Sequence, residues 1–284
     1  LSPDGRTLAI SAKSETGGSC IYLMPVEGGE PVRVTPRTPS WWHGWSPDGA
    51  RLAYAAARGG GPVGVTTCAV DGSDERPLAP GFDHADGPDY APDGAWIWFN
   101  GERDGSADLW RVRPDGTDLE RMTEEETVDW FPHPSPDGRH VLFLAYPPGT
   151  RGHPADLPVA LRLMPQEGGG SREVLRLRGG QGTINVPCWA PDGGAFAFVR
   201  YPACSCPPPG AGSRSGCSAA PSTRPTPAMS GSARRRCAGS APAPGRTWRR
   251  PSPTPCRPSP PTAPAASSRT AASTSRINLC GNRN

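Results

Sequence analysis

Short apolar runs recur along the first two-thirds of the chain, each lacking the polar alternation of a strand with one wet face. They are Thr7-Leu8-Ala9-Ile10, Arg51-Leu52-Ala53-Tyr54, Trp96-Ile97-Trp98-Phe99, His140-Val141-Leu142-Phe143 and Ala195-Phe196-Ala197-Phe198. Runs of this length bounded by turn residues predict strands buried on both faces. A second set follows about 16–20 residues after the start of each corner, later in the fourth unit because of the insertion at 146–156: Ile21-Tyr22-Leu23-Met24, Val65-Thr66-Thr67-Cys68, Asp108-Leu109-Trp110-Arg111 and Leu161-Arg162-Leu163-Met164. Each of these ends at a glycine turn and leads into a polar stretch such as Pro31–Thr35 or Leu119–Thr123, read as an outer strand. No segment carries a helical period.

The apolar runs are paced by one tetrapeptide. It reads Ser2-Pro3-Asp4-Gly5, Ser46-Pro47-Asp48-Gly49, Ala91-Pro92-Asp93-Gly94, Ser135-Pro136-Asp137-Gly138 and Ala190-Pro191-Asp192-Gly193. Proline presets φ for the first turn position, aspartate binds nearby amides, and glycine takes the positive φ that closes a hairpin. The aspartates step by 44, 45, 44 and 55 residues, and a four-stranded propeller blade is about 40–45 residues long. An all-β propeller of four-stranded antiparallel blades is therefore expected over 1–201, with about five blades present. The long fourth step holds an insertion at 146–156 with three prolines, expected as a rim loop that either carries function or merely varies in length.

Charge divides the chain more sharply than its net value of +3 suggests. Residues 202–284 hold 12 of the 30 basic residues, all arginine, and none of the 27 acidic ones, so 1–201 is acidic. This tail is rich in Pro, Ser, Ala and Arg and has few apolar anchors, too few to offset the entropy of ordering it. It is expected to be disordered, and the abrupt change of composition at 202 fits a frame shifted out of register, the alternative being a genuine Pro/Arg-rich arm. Its arginine clusters lack interleaved aromatics, so no specific nucleic-acid role is assigned. No apolar run is long enough for a membrane span. Cys20, Cys68 and Cys188 show no pair spacing and read as buried free thiols.

The strand before each corner is innermost in a propeller, so residues just upstream of the corners approach the central channel. That set is polar: His43, Asp83, His84, Asp86, Asp89, Asp129, His133 and Asn185, with His153 in the insertion. The candidate ligand site is drawn from it as His43, Asp86, Asp89, Asp129, His133 and Asn185. Imidazoles and carboxylates about one axis can hold a divalent cation, while polar residues at a wet channel mouth can equally serve turns. No cofactor is assigned beyond that cation. Trp41, Trp42, Trp45, Trp130 and Trp189 lie beside the same corners, for packing between blades or for stacking on a ligand. No G-x-S-x-G elbow is present.

Several phrases resemble the stand-alone TolB-like propellers: Ser40-Trp41-Trp42-His43-Gly44-Trp45, Asp86-Gly87-Pro88-Asp89-Tyr90, Trp130-Phe131-Pro132-His133-Pro134 and Gly179–Pro187. The resemblance covers 1–201 and implies six blades, so a chain that opens at Leu1 without Met reads as truncated at its N-terminus. It implies no defined activity; the function expected is a non-enzymatic scaffold, a monomer, that binds a protein or a small polar ligand at the channel mouth and rim loops. The alternatives are a metal-dependent polysaccharide lyase or hydrolase using the channel His and Asp residues, and the propeller of a prolyl-oligopeptidase-like enzyme without its catalytic domain. The compartment stays open between bacterial periplasm and cytoplasm.

Overall fold

Strands β1 (Thr7–Lys13), β2 (Ser19–Pro25) and β3 (Val32–Arg33) form the first of four antiparallel sheets in the computed structural model, which describes residues 1–15 and 17–201. The second sheet runs β4 (Ser40–Trp45), β5 (Arg51–Ala57), β6 (Val63–Ala69), β7 (Arg76–Pro77). The third runs β8 (His84–Tyr90), β9 (Ile97–Arg103), β10 (Ser106–Val112), β11 (Glu120–Arg121). The fourth runs β12 (Val128–Pro134), β13 (His140–Tyr146), β14 (Leu157–Pro165), β15 (Arg172–Gly179). In every sheet the strands follow chain order, the up-and-down order of propeller blades. The tail from residue 202, with the disorder and frameshift expected there, lies outside the described residues.

The corner turns form as their residue types demand. Gly5, Gly49, Gly94, Gly138 and Gly193 sit at φ between 69° and 73°. Each donates its N–H to the residue three before it, as in Gly138 to Ser135 at 2.9 Å. Asp48 Oδ1 accepts from Ser46 Oγ at 2.5 Å and from Ala50 N at 3.0 Å, and Asp4 and Asp137 repeat the pattern. Those serine and then amide hydrogen bonds hold the three carboxyls below their ordinary range.

Apolar packing sits between consecutive sheets, and the middle strands feed two cores at once. In β5, Leu52, Tyr54 and Ala56 face Ile21 and Val34 of the first sheet, while Ala53 faces Ile97 and Phe99 of the third. In β9, Ile97 and Phe99 face backward, while Trp98 packs forward on Val141, Phe143 and Met164. In β13, Val141 and Phe143 face back and Leu142 and Leu144 face forward, onto Ile184, Trp189 and Phe196. The period-2 alternation of a strand thus divides one apolar run between two interfaces.

The fifth apolar run departs from expectation. Around the corner at 190–193 the chain doubles back, with Ala190 N to Ala195 O at 2.7 Å and Ala197 N to Cys188 O at 2.9 Å. The pairing amounts to one bridge, Trp189 to Phe196, and Phe198 is exposed. Among the described residues no strand follows to cover its outer side, so Ala195–Phe198 is not buried on both faces.

Candidate functional site

Inner strands β4, β8 and β12 pack on one another in succession. Each carries one more residue than its partner over a short stretch: Trp42 to Gly44 against Tyr54 and Ala53, Asp86 to Asp89 against Asn100 and Trp98, Trp130 to His133 against Leu144 and Leu142. The extra residue falls five to six positions before the corner aspartate every time. A bulge re-aims the side chains around it, and these three bring one part of each strand toward a common point. Gly87 makes this possible in β8: it sits at φ +61°, and a Cβ there would meet Asn100 Oδ1 at 2.8 Å and the Phe131 ring at 3.0 Å. Phe131, itself at φ 55°, donates its N–H to Asn100 Oδ1 at 3.1 Å.

The point of convergence is a histidine basin around Asp86. His43 Nε2 lies 2.9 Å from Asp86 Oδ1, and Gly87 N donates to the same oxygen at 2.8 Å. Asp86 Oδ2 faces His84 Nε2 and His153 Nε2, both at 3.7 Å. His153 arrives from the insertion, which forms the loop between β13 and β14 that the sequence predicts. The loop is pinned at Pro154, whose carbonyl accepts from Tyr146 Oη at 3.1 Å and from Gln181 N at 3.2 Å, and at Asp156, paired with Arg178 Nε at 3.0 Å. Trp130 walls the basin, its ring 4.4 Å from that of His153 and 5.7 Å from that of His84. Phe131 stacks near His43 at 6.4 Å.

Depth grades across this group. The side chains of His43 and Asp86 are 10% and 14% exposed, those of His84 and His153 30% and 26%, so the last two form the accessible lip. Burial alone would raise the Asp86 carboxyl, but the His43 charge and the hydrogen bonds from His43 and Gly87 outweigh it and hold it well below the carboxylate range. Burial pushes the His153 imidazole down, against the pull of Asp86. Three ring nitrogens, His43 Nδ1, His84 Nε2 and His153 Nδ1, are buried without a hydrogen-bond partner.

The six residues drawn from the sequence fall into separate groups. His43 and Asp86 pair within the basin. Asp89 and His133 pair with each other, Oδ2 to Nδ1 at 2.9 Å, and His133 Nε2 meets the Ile184 carbonyl, a joint between strands. Asp129 is fully buried and accepts from Thr127 Oγ1 at 2.9 Å. Asn185 accepts from Gly182 N at 2.7 Å and so closes a local turn. His84 and His153 belonged only to the wider polar set, and the wall of Trp130 and Phe131 was not singled out as such. Of the tryptophans, Trp42 and Trp45 pack on the core between the first two sheets, and Trp189 donates Nε1–H to His133 O at 2.9 Å.

No protein-family model matches the chain. Over 201 residues it is 48% identical to an uncharacterised protein of Agrobacterium fabrum, Atu1656, a match that covers 71% of this chain and 68% of that one. A solved structure described as a TolB candidate from Agrobacterium tumefaciens is similar at TM-score 0.69 and 47% identity, over 72% of this chain and 73% of that one. TolB of Acinetobacter baumannii is similar at TM-score 0.56 and 17% identity, over 68% of this chain and 45% of that one, a likeness of fold alone. Among the described residues no helix is long and apolar enough to cross a membrane. With its corner-paced antiparallel sheets and these relatives, the chain belongs to the family of TolB-like β-propellers.

Proposed function

We propose that this propeller is a non-enzymatic scaffold that seats a polar ligand, or a polar segment of a protein partner, at the basin around Asp86. The observation that carries the reading is the convergence of three bulged inner strands and a pinned loop on one largely buried set of histidines with an aromatic wall. Side chains held on strands lose little freedom on binding, which is where a rigid scaffold gains affinity. The basin's closest hydrogen bonds to Asp86 come from a histidine and a backbone amide, not the hydroxyl-to-base or thiol-to-base pair that activates a Ser, Thr or Cys nucleophile.

The test compares the immobilised full chain with a variant carrying His84→Ala, Asp86→Ala and His153→Ala. Proteins, peptides and oligosaccharides retained by each are quantified by mass spectrometry and on arrays. A binder held by the parent and lost from the variant supports the reading; equal retention by both removes it. A second reading, a metal-dependent lyase or hydrolase, draws on the proximity of His84, Asp86 and His153. Its test is turnover of an acidic polysaccharide by the zinc- or manganese-supplemented chain, absent from the same variant.

A further inference from the structure

We propose that His84, Asp86 and His153 are the ligands of a divalent transition-metal site at the lip of the basin, with His43 positioning the carboxylate. This deepens the scaffold reading and rests on it: a cation held here is what an incoming polar group would meet first.

The spacing speaks for it. Both histidine Nε2 atoms stand 3.7 Å from the same carboxylate oxygen, and the three donor atoms lie within 4.8 Å of one another. A separation of 3.7 Å is too long for a hydrogen bond. Two donors each about 2.1 Å from a shared zinc ion lie roughly 3.4 Å apart at a tetrahedral angle and about 3.6 Å at a trigonal one. The two histidine-to-carboxylate gaps are therefore of the size a small cation spans.

The donor set selects the class of cation. Two imidazoles and one carboxylate suit Zn²⁺, Co²⁺, Ni²⁺ or Mn²⁺, whereas Ca²⁺ and Mg²⁺ prefer oxygen alone. Support behind the ligands is also in place. Oδ1 of Asp86 is held by His43 Nε2 and Gly87 N, which leaves Oδ2 directed at the two histidines, as outer-shell partners do for a ligating carboxylate. Trp130 packs against both imidazoles. His84 Nε2 is buried without a hydrogen-bond partner, a state that native proteins rarely leave unexplained. With three protein ligands a coordination position stays open, to water or to a carboxylate of a bound partner.

The experiment uses the full 284-residue chain, stripped with chelator and dialysed against Zn²⁺ or Co²⁺. Metal is measured by elemental analysis and the Co²⁺ form by its visible absorption. The expected result is one metal per chain, with affinity lowered at least about tenfold in His84→Gln and His153→Gln, lowered in His43→Gln, and unchanged in His140→Gln. A second background carries Cys204→Ser and Cys206→Ser, because thiolates also take zinc. Metal bound equally by the parent and a His84→Gln/His153→Gln double variant, or lost with the cysteines, overturns the site. So does the absence of saturable binding. His153→Gln lies on a loop and tests the ligand set even where a strand substitution impairs folding. Absent metal with unchanged partner retention sinks this site and leaves the scaffold reading standing; metal binding without any retained partner does the reverse.

Discussion

His133 Nδ1 stands 2.9 Å from Asp89 Oδ2, and this buried pair ties the inner strand of the fourth sheet to that of the third. A carbonyl, that of Ile184, meets the other ring nitrogen, and the backbone of His133 in turn receives the indole N–H of Trp189. One imidazole thus links three successive parts of the propeller. Removing one partner of a buried pair leaves the other unmet, at a cost of about 3 kcal/mol. Asp89→Ala is expected to lower the unfolding free energy by about that much, and Asp89→Asn by less, in urea titrations. An Asp89→Ala protein as stable as the parent would show the joint to be inert.

Asp129 makes stability depend on pH. Burial pushes its carboxyl up to about 7; Thr127 and Thr123 pull it down, and Glu125 and Asp108 push it further up. The folded chain therefore holds this proton more tightly than the unfolded chain does. The stabilising contribution is complete below pH about 4 and is lost as pH rises through about 7. Asp129→Asn keeps the shape of the protonated acid. It is expected to match the parent near pH 4 and to exceed it by an increment on the order of 4 kcal/mol at pH 8. Thermal melts across that range check it, and a constant difference would contradict it.

The corner glycines give a conformational test. Gly138 turns the chain from β12 to β13 at φ 71°. Alanine in that left-handed region costs about 1–2 kcal/mol. Gly138→Ala should therefore lower the denaturation midpoint, while Gly170→Ala, which has open space around its added methyl, should not.

Two thiols are expected to resist alkylation in the native protein. Burial pushes Cys68 up to about 11 and Cys188 up to about 12, so almost no thiolate exists at pH 7.5. Peptide mapping after iodoacetamide should find both unmodified until denaturant is added. Rapid native labelling at Cys68 would refute the packing between the first two sheets, where it lies fully buried.

The corners and apolar runs were legible in the sequence because their information is local. Ser46-Pro47-Asp48-Gly49 makes its turn with its own atoms, and the uninterrupted run of β13 announces a strand with two dry faces. The basin was legible only in part. His43 and Asp86 stand at the same approach to a corner and could be paired by repeat position. His153 reaches them from an insertion that no repeat position describes, through a loop pinned by Tyr146 and Gln181. Asp129 was misplaced by the same periodic logic: it occupies an inner strand, yet its carboxylate bonds to Thr127 and not to a basin histidine. Ala195–Phe198 shows the limit of local pattern in another way, since a strand's second dry face depends on a neighbour that composition does not reveal.

The division of β5, β9 and β13 between two apolar interfaces makes the sheets interdependent, like pages that share a binding. A one-residue slip in β9 would send Trp98 into the space of Phe99 and Ile97 into that of Trp98, spoiling both sides together. Defects in this architecture therefore spread along the row of sheets, and neither the second nor the third can be loosened without unsettling the one behind it and the one ahead.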